Sequence, residues 1–159
     1  MKNVEEQNIK KYCNFYVSDI HLSVVLLPYI NREIDNNVEV TTIFEKLNKG
    51  NFEEVIKKIN VNNKEKILNI NWICNYTKEE VNKKIKEIIS CGKKHTIIIG
   101  GGEDFILSIN RIINYEINNS KNNIKIIDCY NIEEIKSNME NIVHKYNGIL
   151  NTINSLKNV

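Results

Sequence analysis

The residues with the clearest chemical potential lie in IIIGGGEDFIL, residues 97–107, where an isoleucine run meets three glycines and then Glu103 and Asp104. Glycines let a backbone approach a ligand closely, and an acid presented beside them can take part in proton transfer. A phosphate cradle does not fit the stretch. A P-loop requires a lysine and a serine or threonine after its glycines, and a dinucleotide fingerprint requires Gly-x-Gly-x-x-Gly; neither pattern is present. Glu103 and Asp104 also fall in the first turn of a helix, where they complement the positive end of its dipole and repel a bound phosphate.

The elements that must position this stretch follow from the periodicity. TIIIG (96–100) is a continuous apolar run of the kind found in strands buried on both faces. Phe105, Ile106, Ile109, Ile112 and Ile113 then recur at helical intervals, which predicts a helix over 103–117. That helix argues against the hairpin of diguanylate cyclases, whose Gly-Gly-Asp-Glu-Phe signature has its acids in the opposite order. Further strands are expected at 12–17, 38–44, 66–73 and 124–130. Helices are expected at 20–35, with Pro28 kinking or dividing it, at 51–59 behind Asn51, and from Thr77 to Ser90 with Gly92 closing it. Residues 132–146 read as helical, with a weaker apolar pattern continuing to Leu156. Alternating elements of this kind predict an α/β fold: a doubly wound, mostly parallel five-stranded sheet with helices on both faces.

Open α/β sheets bind ligands outside the carboxyl ends of their strands. The residues expected there are Tyr16, Ser18, Asp19 and His21 after the first strand and Glu45 after the second. Trp72 and Cys74 follow the third, Gly102 and Glu103 the fourth, and Cys129 and Tyr130 finish the fifth. Aromatic surfaces with a few polar groups suit a small organic ligand better than a polyphosphate. Each residue also has a plainer role. His21 reads as a surface or capping histidine, Trp72 as core packing, Cys13 and Cys129 as buried thiols, and Glu103 and Asp104 as helix-start acids.

Bulk properties restrict the function classes. A chain of 159 residues, 42% hydrophobic, supports one compact domain, 1–159, with residues 1–10 expected as a flexible start and 148–159 as a helical end. The net charge is only +2, and its basic residues are scattered, which argues against nucleic acid as a direct partner. The opening residues lack the apolar run of a signal peptide and no stretch reaches the length of a membrane span, so a cytoplasmic location without a membrane partner is expected. Four cysteines, Cys13, Cys74, Cys91 and Cys129, form no CxxC pair and lack a histidine at zinc spacing; neither metal nor cofactor is expected.

The stretch KKYCNFYVSDIHLSVVLLPYI resembles the opening of the MEDS domain, a sensory domain named for methanogens, methylotrophs and the dichloromethane-responsive regulator. Cys13, Phe15 and Tyr16 match its Cys-x-Phe-Tyr stretch, and Pro28-Tyr29 its later Pro-aromatic step. Gly102-Glu103 match the Gly-Glu after its fourth strand and Tyr115-Glu116 its Tyr-Glu pair, and Cys129 and Tyr130, adjacent here, stand like its Cys-x-Tyr. The likeness spans about residues 10–146. Lys11 stands where the family usually has histidine, and Asp104-Phe105 replace a segment that normally ends in tryptophan.

The resemblance implies a RecA-like domain that has lost its phosphate loop and senses small organic or hydrocarbon-type molecules. With no output module in the chain, signalling would run through a regulatory protein partner or a homo-oligomer, and Ile149, Leu150, Ile153 and Leu156 offer a contact surface. Two other classes stay open: a protein-interaction scaffold without a ligand, and an enzyme using Glu103 with His21 or Cys74.

Overall fold

A computed structural model describes residues 9–117, 123–150 and 156–158. Seven strands form one sheet in the order β3-β2-β4-β5-β1-β6-β7. They are β1 (Ile9–Tyr16), β2 (Glu39–Phe44), β3 (Asn71–Cys74), β4 (His95–Gly101), β5 (Ile124–Asn131), β6 (Gly148–Leu150) and β7 (Leu156–Asn158). The first six run parallel and β7 pairs antiparallel with β6. The α/β, mostly parallel expectation holds, with two short strands beyond the expected five.

Helices α1 (Asp19–Asp35), α2 (Lys49–Lys58) and α3 (Lys64–Leu68) cover one face, and α4 (Lys78–Cys91), α5 (Glu103–Ile117) and α6 (Met139–Val143) the other. The strands serve both faces by simple alternation. In β4, Ile98 packs under α1–α3 while Ile97 and Ile99 pack under α4–α6. All seven residues of β4 are buried, as expected of a central parallel strand.

Several boundaries differ from the sequence reading, each for a local reason. The strand expected at 66–73 is a helical turn followed by only four strand residues. Ile67 is the one buried residue of α3, and its carbonyl accepts from Trp72 Nε1 at 2.9 Å, folding the segment back on itself. α1 is not divided at Pro28, because Leu26, Leu27, Tyr29 and Ile30 continue one buried stripe through it. α2 starts behind Asn48 rather than Asn51, without a side-chain cap bond. α4 closes as expected, with a Thr77–Glu80 capping box at its start and Gly92 in the left-handed region, φ +72°, at its end.

The long helix expected over 132–146 is absent. A 3-10 turn at Ile132–Glu134 is followed by the single short helix α6, each capped by its own asparagine, Asn131 and Asn138. Asn147 then grips Lys11 through two bonds, N–H to carbonyl at 2.7 Å and Oδ1 from N–H at 2.8 Å, setting β6 beside β1. Residues 148–150 and 156–158 are therefore strands, not a helical tail. Leu150 is fully buried, so the proposed carboxyl-terminal contact surface is instead part of the sheet; Ile153 lies outside the described residues. Of the expected flexible start, residues 9 and 10 belong to β1 and the rest lies outside the described residues. None of the described helices is long and apolar enough to cross a membrane.

Candidate functional site

At the carboxyl end of β4 each glycine of the opening stretch meets a neighbour that a side chain would displace. A Cβ on Gly100 would lie 2.4 Å from the Phe44 ring, and one on Gly102 would lie 2.7 Å from Glu134 Oε2. Gly101 has φ +153°, a conformation that side chains disfavour. The turn thereby draws in the loop after β2, whose Glu45 Oε1 accepts from Gly102 N–H at 3.0 Å. The glycines serve close packing of chain against chain.

Glu103 completes that packing. Its Oε1 accepts the backbone N–H groups of Lys136 (2.7 Å) and Ser137 (2.8 Å), and its Oε2 accepts the Ser137 hydroxyl. These donors, the Ser137 hydroxyl foremost, hold the Glu103 carboxyl below the usual carboxylate range. Asp104 meets Lys136 Nζ at the surface. The carboxylate is a latch between α5 and the loop after β5, with both oxygens engaged.

The residues after β1 are also bound into local structure. Ser18 Oγ accepts from His21 N–H at 3.1 Å as the cap of α1, and His21 Nδ1 accepts at 3.2 Å from the N–H of Val17, the residue before the cap. With Nδ1 accepting, the neutral ring carries its proton on Nε2. Asp19 sits in the first turn of α1, as its dipole favours.

The expected ligand residues do not converge. Tyr16 packs with the α1–α3 layer and Tyr130 with the α4–α6 layer, on opposite faces of the sheet. Trp72 lies on edge strand β3, stacked on Phe44 at 6.3 Å and edge-on to Phe52 at 5.3 Å. Gly102 and Glu103 belong to the latch. Cys129 is fully buried with its thiol pushed well up by burial, and Cys74 is half-buried.

Two features were not singled out in the sequence. One is a buried polar network around Asp128 in β5. Both its oxygens face Asn110 Nδ2, at 3.2 and 3.1 Å, and Oδ2 also accepts from the Tyr146 hydroxyl. Tyr146 shares a further bond with the Tyr130 hydroxyl, whose ring stacks on Phe15. Burial pushes the Asp128 carboxyl up to about 6, against the opposing pull of Lys11 and of its own hydrogen bonds. An aspartate inside the apolar run IKIIDCY was the available signal.

The other is a cavity of about 260 Å³ at the carboxyl ends of β2 and β3, between the start of α4 and the body of α5. Ile43, Ile73, Val81, Phe105 and Ile109 form its apolar wall, and Glu45, Thr77, Lys78 and Ser108 add polar groups. Glu45 is the one residue expected at the carboxyl ends that lines it. Among the described residues no group of three or more histidines, cysteines or acids is arranged to hold a metal ion.

No family model matches this chain, and no curated protein does. Among solved structures it is similar to the flagellar accessory protein FlaH from Methanocaldococcus jannaschii, with a TM-score of 0.54 and 16% identity over 88% of this chain and 69% of that one. At that identity the likeness shows the fold alone, an α/β fold of RecA-like type.

Proposed function

We propose that the chain is a regulatory domain that senses a small organic molecule, bound in the cavity between α4 and α5 and read out by a protein partner or a second copy. The observation that carries this reading is the character of the cavity: an apolar wall at the carboxyl end of the sheet, with neither histidine nor cysteine in its lining. Such a site favours binding over acid-base or nucleophilic chemistry. The engagement of Glu103 in its latch and of His21 in its cap supports the same choice. So does the sequence resemblance to the MEDS domain, a sensory module. To signal, the ligand must prefer one of two states of the protein. Glu45 offers a route, because it touches both the cavity and the glycine turn.

A second reading, a protein-interaction scaffold without a ligand, is favoured by Val17, Ile20 and Val24, which are 60%, 57% and 47% exposed at the start of α1.

A thermal-shift panel of ATP, GTP, cyclic di-GMP and small apolar, halogenated and amphipathic organics separates the readings. A ligand at a hundred times its Kd adds about 2.7 kcal/mol, several degrees for a domain of this size. Stabilisation by an organic compound, lost in Ser108→Trp, which fills the cavity, supports the sensor. Stabilisation by nucleotides alone overturns it, and silence across the panel favours the scaffold.

A further inference from the structure

The α4–α5 cavity does not end at its apolar wall. A second cavity of about 250 Å³ adjoins it, lined by Lys78, Asn82, Ser108, Arg111, Ile112 and Tyr115, and Lys78, Ser108 and Ile112 line both. The inner space is dominated by aliphatic and aromatic carbon; the outer one holds two cations and an exposed tyrosine ring.

Those cations differ from two of the lysines that follow Lys78 on α4. Lys84 and Lys86 of α4 meet Glu87 and Glu116. Neither Lys78 nor Arg111 has an ion pair or a side-chain hydrogen bond among the described residues. Lys78 is also the first residue of α4, where the positive end of the helix dipole disfavours a cation. Of the acids nearby, Glu79 is exposed beside Lys78 and lines neither cavity, Glu80 is committed to the capping box with Thr77, and Glu45 lies on the inner cavity with its Oε1 on Gly102 N–H. Asn82 contributes an amide whose Oδ1 is buried with no partner among the described residues, and turning that amide over would present its Nδ2 as a donor to an anion.

Resting on the small-molecule reading above, we infer that the ligand is an amphipathic organic anion. Its apolar body fills the inner cavity against Ile73, Val81, Phe105 and Ile109, and its carboxylate lies at the outer end between Lys78 and Arg111. Burial of the body supplies most of the affinity and the two cations supply the choice of head group. That division makes head-group selectivity separable from binding itself.

Isothermal titration calorimetry with a matched set, octanoate, octyl alcohol and octylamine in its ammonium form, tests the assignment on the full chain at neutral pH. Octanoate is expected to bind about tenfold or more tightly than the alcohol, with the ammonium weakest, and the octanoate preference should shrink as salt rises. The double substitution Lys78→Gln with Arg111→Gln, both side chains exposed, should abolish the preference, so that octanoate and the alcohol bind the variant equally. Equal binding of octanoate and alcohol, or a preference that survives the double substitution, overturns the anion assignment and leaves the organic-ligand reading standing. Preference for the ammonium overturns it in favour of Glu45 as the selecting group. Failure of all three to bind overturns the assignment together with the reading beneath it.

Discussion

Two carboxylates, Glu103 at the start of α5 and Asp128 inside β5, lie in neighbouring elements, are both shielded from solvent, and are displaced in opposite directions from ordinary acidity. Glu103 receives two backbone N–H groups and a hydroxyl on its two oxygens, so the charged form is the favoured one. Asp128 receives an amide and a tyrosine hydroxyl but is fully buried in the sheet, and loss of hydration outweighs those bonds. The number of donors is similar. What separates the two is that a loop end at the sheet's rim supplies N–H groups that otherwise lack partners, whereas the middle of a strand supplies none.

The largest test of that difference is Glu103→Ala. Removing the acceptor leaves the Lys136 and Ser137 N–H groups without partners and frees the loop after β5, for an expected loss of about 3 kcal/mol in urea unfolding. Glu103→Gln, which keeps one acceptor oxygen, should lose less than half as much. A loss below about 1 kcal/mol for the alanine variant would show that the latch does not hold the loop.

Asp128→Asn should act in the other direction. The native carboxyl titrates near 6 and the unfolded one near 3.8, so the folded state binds the extra proton between those values. Stability from this group is complete below about pH 4 and is lost as pH rises through 6; the substitution should therefore add about 1–2 kcal/mol at pH 8 and little at pH 4. The asparagine can also donate to Asn110 Oδ1, which is buried without a partner among the described residues.

His95 sharpens the comparison further. Buried against Thr41 Oγ1 at 2.8 Å, it is pushed down to about 4 by burial, so its contribution is present above pH 6.5 and lost as pH falls toward 4. Asp128 and His95 thus oppose each other across one window. Stability of the unaltered protein should be nearly flat there, and that of Asp128→Asn should rise with pH; a flat profile in the variant would remove His95 from this balance. The smallest effect is expected at Lys136→Ala, whose exposed pair with Asp104 should leave the melting temperature unchanged while Glu103 keeps its hold on the backbone.

How far the sequence revealed this depended on the range of the interactions involved. The β4–α5 unit was legible because an apolar run followed by period 3.6 is a local signal, and the Thr77 cap and Gly92 stop were legible for the same reason. KILNINWI misled because a four-residue edge strand and a single helical turn share one apolar stretch, parted by the backbone bonds of Asn69 and Ile70 and by the Trp72–Ile67 bond. The helix expected beyond Ile132 failed because Glu103, about thirty positions earlier, takes the backbone N–H groups of Lys136 and Ser137. The site was less legible still. Carboxyl-end placement located Glu45, but Lys78, Ser108 and Arg111 sit on helix surfaces whose juxtaposition depends on how α4 packs against α5.

The strand order has a consequence for how the chain is made. β1 leads the described chain, yet its neighbours in the sheet are β5 and β6; Lys11 bonds to Asn147, 136 positions later. A ribosome adding about 5–20 residues each second delivers Tyr12, Cys13 and Tyr16 well before the partners that bury them exist. For that interval β1 is a strand with both edges open, exposed to a chaperone or a misfolded neighbour.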